Sequence, residues 1–246
     1  MEEALRIVTW NLNHRAKRRS IPNTVARGIL SLQPDVLVLT EYVEGDDHSP
    51  FCGELCAEGL TTTLTTEPVR GENQVLIASR VTAKKLVPGS EGAVFPPRSL
   101  GVAHLNWLHV RLNSPSVDIV GMRVPEHKKG ATRGSYWKWF ESEIDPLFQR
   151  ASLIIGDFNC DPNSNKTGTR ALRELRQRGW QWSDPDPQGE MSYRGAKCAS
   201  RIDHVLASPS VEVISARYVP SANGFDFIGP RPLSDHSPLL VVIGCR

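Results

Sequence analysis

Short polar clusters punctuate this 246-residue chain, and the residue types in them are suited to handling a cation and a proton together. In order they are Trp10-Asn11-Leu12-Asn13, Thr40-Glu41, Met122-Arg123-Val124-Pro125, Gly156-Asp157-Phe158-Asn159, Arg201-Ile202-Asp203-His204 and Ser234-Asp235-His236-Ser237-Pro238. Carboxylate and amide oxygens are the ligands of hard divalent cations. A histidine with a separate carboxylate to orient it can move or donate a proton. Cation, proton carrier and oriented water are what cleavage of a phosphodiester requires. Most of these clusters adjoin an apolar run that reads as a β-strand, so a rigid sheet can hold the polar groups in a cleft.

Taken singly, the clusters have plainer explanations. Asn11 and Asn13 alternate around Leu12, as Asp157 and Asn159 do around Phe158, so in an extended strand each pair shares a face. An Asx pair at a strand end also serves as turn chemistry. Glu41 escapes that explanation. It ends Asp35-Val-Leu-Val-Leu-Thr-Glu41, a run apolar enough to be buried on both faces, where a carboxylate needs a partner and a divalent cation is the simplest one. Asp203 on a strand is placed to orient His236; alone, His236 would read as a capped turn before the last strand. His204 is left without a role, Arg201 reads as a surface or ion-paired residue, and His14, His48, His104, His109 and His127 have no obvious partner and read as ordinary. Cys160 follows Asn159 directly, but a packing thiol is the better reading than a nucleophile.

The elements that must position these groups follow from hydrophobic patterning. Strands are expected at Leu5–Trp10, Val36–Glu41, Gln74–Ser79, Ala103–Arg111, Val117–Arg123, Ser152–Asp157, Ile202–Ala207, Glu212–Tyr218 and Pro238–Ile243. Helices are expected over Asn23–Gln33, Thr132–Asp145 and Thr169–Arg178. In the second, Tyr136, Trp137, Phe140 and Ile144 share a face and read as core. Many strands, fewer helices and no repeat or linker favour one α/β domain of two packed sheets with helices outside. Pro88–Ser99 and Asp184–Gly189 read as surface loops.

Composition excludes several classes. Hydrophobic residues make up 39% and charged residues 23%, which suits neither a disordered nor a membrane chain. The N-terminus lacks the pattern of a signal peptide, so the expected compartment is cytoplasmic. The cysteines Cys52, Cys56, Cys160, Cys198 and Cys245 lack zinc-finger spacing and read as reduced, mostly buried thiols. A net charge of +2 excludes a basic nucleic-acid coat, so positive charge matters only locally. Arg15, Lys17, Arg18 and Arg19 form one basic stretch and Lys128, Lys129 and Arg133 another, each beside suspected site residues. The group Arg170, Arg173, Arg176 and Arg178 reads as a solvated helix face.

The order W-N-x-N, E, G-D-F-N, R-I-D and S-D-H-S-P before a final strand resembles the endonuclease/exonuclease/phosphatase superfamily, the group of DNase I, exonuclease III and the AP endonucleases. The resemblance runs from Arg6 to Ile243. It implies a four-layer α/β sandwich, two mixed sheets flanked by helices, and a phosphoesterase dependent on Mg²⁺ or Mn²⁺. By motif, Asn11 and Glu41 match metal-site positions, with Asp235 a further metal-side carboxylate. Asp157 matches the residue that orients or deprotonates the attacking water, Asn159 a phosphate-contacting amide, and Asp203 with His236 the carboxylate–histidine pair at the scissile phosphate. Asn13, Arg123, Tyr193, Arg18, Arg19, Lys128 and Lys129 are the substrate-binding candidates.

Departures from the family pattern bear on substrate. Asn13 stands where exonuclease III-like members have Asp, and Arg123 where a tyrosine or histidine precedes the proline segment. An arginine offers phosphate two parallel donors. Ser200 replaces the tryptophan of the abasic-sugar pocket. Cys160-Asp161-Pro162 and Arg201-Ile202 disfavour the inositol-phosphatase branch. The leading expectation is a nuclease acting on DNA or RNA. The alternatives are a phosphatase or phosphodiesterase on nucleotides or other small esters, and a non-catalytic nucleic-acid binder, which the presence of Glu41, Asp157, Asp203 and His236 disfavours.

Overall fold

The structure is a computed structural model that describes residues 4–13, 21–69, 72–125, 131–164, 166–183, 185, 190–195, 198–229 and 232–245. The chain enters on β1 (Leu5–Asn11) and passes through α1 (Asn23–Leu30) to β2 (Val36–Tyr42). Next come α2 (His48–Ala57), β3 (Thr62–Thr65) and β4 (Gln74–Ser79). It then crosses to β5 (Ala83–Lys85), β6 (Trp107–Leu112) and β7 (Asp118–Arg123). Helices α3 (Ala131–Glu143) and α4 (Asp145–Phe148) precede β8 (Ser152–Asp157), and α5 (Thr167–Gln177) precedes β9 (Gln181–Ser183). A hairpin of β10 (Tyr193–Arg194) and β11 (Ala199–Ser200) leads into β12 (Asp203–Ala207). Strand β13 (Val211–Tyr218), the small hairpin β14 (Ser221–Ala222) and β15 (Phe225–Asp226), and β16 (Leu239–Cys245) close the chain.

Two six-stranded sheets result, in the orders β13-β16-β1-β2-β4-β3 and β5-β6-β7-β8-β12-β9. Both are mixed, because β1–β2 and β7–β8 are parallel while the other pairs in them are antiparallel. The strands near the middle of each sheet are buried along their length, as unbroken Val/Ile/Leu runs require when both faces are covered. The central core lies between the sheets, where Val38, Val75 and Ile77 meet Val110, Ile119 and Ile155. The sheets approach so closely here that a Cβ on Gly121 would stand 2.7 Å from Val38 Cγ1 and 2.8 Å from Val75 Cγ1. A second core packs α3 and α5 on one outer face through Trp137, Phe140, Phe158 and Leu172. A third packs α1 and α2 on the other, through Trp10, Val25, Ile29 and Leu55. These layers form the expected four-layer sandwich.

The predicted strands recur within a few residues, with one exception. Ala103–Asn106 belongs to 3-10 turns over Arg98–Asn106, kinked at Leu100 and Gly101, and extended structure begins only at Trp107. Apolar periodicity over so short a stretch does not separate the two states. Helix α3 ends at Glu143, and Pro146 falls in the separate short α4. Val94, in a segment expected to be a surface loop, is buried in the second core. Among the described residues no helix is long and apolar enough to cross a membrane.

The register explains the location of the site. Because β1 runs parallel to β2, and β7 to β8, their C-terminal ends, bearing Asn11, Glu41, Arg123 and Asp157, lie side by side. Antiparallel pairing brings the start of β12 to the same rim, with Asp203 opposite Asp157, and the start of β16 beside the end of β1.

Candidate active site

A cleft of about 430 Å³ opens at that rim, and Asn11, Asn13, Glu41, Arg123, Asp157, Asn159, Tyr193, Asp235 and His236 line it. Asp203 lies directly behind His236. Of the residues expected from sequence, Arg18, Arg19, Lys128 and Lys129 lie outside the described residues, as do Arg15, Lys17, His14 and His127. The rest converge.

His236 and Asp203 form the centre. His236 Nδ1 lies 2.8 Å from Asp203 Oδ2, and the two side chains are 6% and 2% exposed. Further bonds hold the pair. Trp10 Nε1 donates to the His236 carbonyl at 2.7 Å, Ser234 Oγ accepts from His236 N at 3.2 Å, and the Tyr218 hydroxyl donates to the Asp203 carbonyl at 2.7 Å. Ser192 Oγ accepts from the backbone of both Ile202 and Asp203. Burial lowers the basicity of His236, but the charge and hydrogen bond of Asp203, then Asp157 and Asp235, prevail and raise its pKa to about 9. The imidazole is therefore a cation at neutral pH, with Nε2 turned toward Asp235 at 3.9 Å.

Asp157 is 1% exposed. Its Oδ2 accepts from Asn11 Nδ2 at 3.0 Å and from Asn159 Nδ2 at 3.2 Å. Burial, then the charge of Asp203, raises its pKa against the opposing influence of His236 and Arg123. A carboxyl so placed can take up a proton near neutral pH. The preceding residue, Gly156, has φ +144°, and a Cβ there would stand 2.0 Å from the Met122 carbonyl oxygen, so no side chain fits where β8 bends to deliver Asp157.

The Asx pairs depart from the expected extended geometry. Asn13 and Asn159 have φ of 52° and 50°, so neither continues a strand. Their backbone N–H groups donate to Asn11 Oδ1 at 2.8 Å and Asp157 Oδ1 at 2.9 Å, closing Asx turns. Turn and site thus coincide: the same turn that satisfies the backbone aims the second amide into the cleft. Glu41 also adopts a left-handed φ of 52°, at an irregularity in the pairing of β2 with β4. A non-glycine residue there carries strain that the surrounding sheet must hold.

Other expectations are corrected or filled in. Arg201 is buried, 8% exposed, with its guanidinium 5.8 Å from the Tyr218 ring centroid rather than on the surface. His204 is a core residue whose Nε2 lies 2.8 Å from the Cys160 carbonyl. His48 meets the Tyr42 hydroxyl at 2.5 Å, and His109 lies 3.6 Å from Asp118, so neither is without a partner. Cys160 is buried and burial pushes its thiol pKa up, which suits packing and not nucleophilic attack. Cys56 and Cys198 are exposed and Cys52 half-buried, against the expectation of mostly buried thiols. Tyr193 stands over His236, ring centroids 5.1 Å apart. Sequence reasoning missed the supporting roles of Ser192, Ser234 and Tyr218, and the cleft-lining Lys166. The partners of Ser192 and Tyr218 lie ten to fifteen residues away, beyond the reach of a local pattern.

Glu41, Asp157, Asp203 and Asp235 thus meet Arg123 and His236 at the floor of the cleft, with Arg133 and Lys166 also lining it, so the types of oxygen donor present, and not net charge, are what suit a cation. Among the described residues, no group of at least three His, Cys, Asp or Glu side chains is arranged to hold a metal by itself. Glu41, with the Asn11 amide and the partly exposed Asp235, instead suits an ion that takes few protein ligands and keeps its waters, as Mg²⁺ does.

Residues 8–236 match the model of the Endonuclease/Exonuclease/phosphatase family. The chain belongs to that family. Membership makes it a phosphoesterase by class. Similar solved structures include an AP endonuclease from Archaeoglobus fulgidus, with TM-score 0.71, 17% identity, and coverage of 96% of this chain and 98% of that one. An endonuclease/exonuclease/phosphatase from Beutenbergia cavernae DSM 12333 gives 0.69 and 18%, over 98% of this chain and 72% of that one. The 3′ phosphatase NExo from Neisseria, bound to product DNA hairpin, gives 0.66 and 19%, over 96% and 98%. At such identities these likenesses establish the fold. No curated protein matches the chain in sequence.

Proposed function

We propose that the protein is a divalent-metal-dependent phosphodiesterase, a nuclease that hydrolyses DNA or RNA by in-line attack of an activated water. The observation that carries this reading is the buried His236–Asp203 pair at 2.8 Å, set in one cleft with Asp157 and Glu41. Asp157 orients the attacking water and accepts its proton, and the amides of Asn11 and Asn159 hold that carboxylate in place. His236, kept cationic by Asp203, donates from Nε2 to the phosphate or to the departing oxygen. Arg123 offers donors to the phosphate oxygens, whereas the Asn159 amide, expected to contact phosphate, spends its two hydrogens on the Val124 carbonyl and Asp157 Oδ2. Glu41, Asn11 and Asp235 would hold the Mg²⁺ or Mn²⁺ ion, which supplies Lewis-acid stabilisation of the charge that develops on phosphate. That a 3′ phosphatase of this fold is bound to DNA supports a nucleic-acid substrate.

Rates on plasmid DNA, RNA, mononucleotides and an aryl phosphodiester, with Mg²⁺, Mn²⁺ or chelator, test the reading. Cleavage of a polymer that stops in chelator and in Asp157→Asn is expected. Turnover of small esters alone would favour a phosphatase or phosphodiesterase of nucleotides, a reading supported by the β10–β11 hairpin, whose Tyr193, Cys198 and Ser200 wall one side of the cleft. Full activity in chelator would refute the metal requirement.

A further inference from the structure

A guanidinium already sits on the carboxylate that a metal would need. Arg123, 13% exposed, ends β7 in register with Asp157. Its Nη2 lies 2.7 Å from Glu41 Oε1, and its Nε lies 3.6 Å from Asp157 Oδ2. Because Glu41 belongs to the first sheet and Arg123 to the second, this ion pair bridges the two sheets at the floor of the cleft. The Glu41 side chain is 7% exposed, so water does little to screen the pair. Arg123 Nε is itself buried and makes no hydrogen bond among the described residues, so it remains a donor held between acids.

A hard divalent cation coordinates carboxylate oxygen at ~2–2.6 Å, closer than the guanidinium nitrogen now stands. Both cannot take the same lone pair of Oε1, and two positive groups so close in a poorly screened site repel each other. We propose that Arg123 is an internal competitor for Glu41, a positioning residue that neutralises the carboxylate when no ion is bound and holds the site's affinity for divalent ions low. The proposal rests on the metal-dependent reading above. It assigns Arg123 a role beyond phosphate contact: occupancy of the site follows the free ion concentration, because each ion must either displace the guanidinium from Oε1 or bind the carboxylate beside that positive charge.

The test is Mn²⁺ binding to metal-stripped protein, followed by electron paramagnetic resonance and calorimetry, with near-ultraviolet circular dichroism to confirm folding. Wild type, Arg123→Met, Arg123→Lys, Glu41→Gln and the double variant Arg123→Met/Glu41→Gln are compared. Arg123→Met should bind Mn²⁺ at least about tenfold more tightly than wild type, equivalent to ~1.4 kcal/mol. Arg123→Lys, which keeps the charge but loses the planar fork, should fall between them. Glu41→Gln should weaken binding, and in that background Arg123→Met should bring no gain, since the competition is for the lost carboxylate. If Arg123→Met fails to fold, Arg123→Lys and wild type still decide, the lysine variant binding more tightly. Folded arginine variants that bind no more tightly than wild type would overturn the proposal while leaving the metal reading intact. A gain that persists beside Glu41→Gln would overturn it too, by showing a diffuse charge effect. Equal Mn²⁺ binding by wild type and Glu41→Gln would overturn both the proposal and the assignment of Glu41 to the metal.

Discussion

Replacing Asp203 by asparagine isolates the interaction that makes His236 a cation. Asparagine keeps an oxygen to accept from Nδ1, so the ring can stay where it is, but it removes the charge. In the native site the imidazole pKa stands at about 9 against an ordinary 6.5, with Asp203 the foremost influence raising it. That interval of about 2.5 units corresponds to ~3 kcal/mol of preference for imidazolium, at ~1.36 kcal/mol per unit. Without Asp203 the burial of the ring, only 6% exposed, is opposed by Asp157 and Asp235 alone, so the pKa should fall by at least ~1 unit. A histidine whose folded pKa exceeds its unfolded value stabilises the protein fully below about 6.5 and loses that contribution as pH rises through about 9. The stability gap between wild type and Asp203→Asn should therefore be largest near pH 6, up to ~3 kcal/mol, and shrink by up to that amount above pH 9. Nuclear magnetic resonance titration of the His236 Cε1–H in metal-free protein reads the pKa directly, and urea unfolding at the two pH values reads the gap. A folded Asp203→Asn protein whose His236 still titrates near 9 would refute the reasoning.

Asp157→Asn and His236→Ala should each lower the maximal rate at least ~100-fold with substrate binding retained, since positioned proton-transfer groups contribute about that much. Single-turnover kinetics beside a binding assay separates the two effects, and loss of binding in both would make these residues structural. Ser192→Ala leaves the amides of Ile202 and Asp203 without their acceptor, so denaturant unfolding should show a loss of ~1–3 kcal/mol. Gly156→Ala drives a Cβ into the Met122 backbone, and a loss of ~3 kcal/mol should lower the melting temperature by ~6–12 °C. Replacing Arg18, Arg19, Lys128 and Lys129 by alanine should weaken polymer binding and flatten its salt dependence by ~0.7–0.9 per lost phosphate contact, while turnover of an aryl phosphodiester changes little. Equal loss on both substrates would mean that these segments shape the active site itself.

Much of this protein is legible in the chain alone. Buried strands such as Val36–Leu39, and Leu153–Ile155 ahead of Asp157, are continuous apolar stretches, and covering both their faces demands layers of helix outside two sheets. Order and type of the polar groups at strand ends identify the family, because each motif keeps its chemistry within a few adjacent residues. Glu41 is conspicuous for the same reason, a charge at the end of an apolar run. Tertiary structure decided what depends on distant contacts. Only the parallel and antiparallel registers show that Asn11, Glu41, Arg123 and Asp157 share a rim with the start of β12. The left-handed turns at Asn13 and Asn159 replace the extended geometry that alternation suggests, because a side-chain bond to the next-but-one amide outweighs continuation of the strand. Arg201 is buried against Tyr218, a partner on another strand, which no local pattern announces. The pairing of Arg123 with Glu41 crosses from one sheet to the other. Sequence specifies which groups can ionise; whether a charge faces water, a carboxylate or a guanidinium is set by the packing of the two sheets.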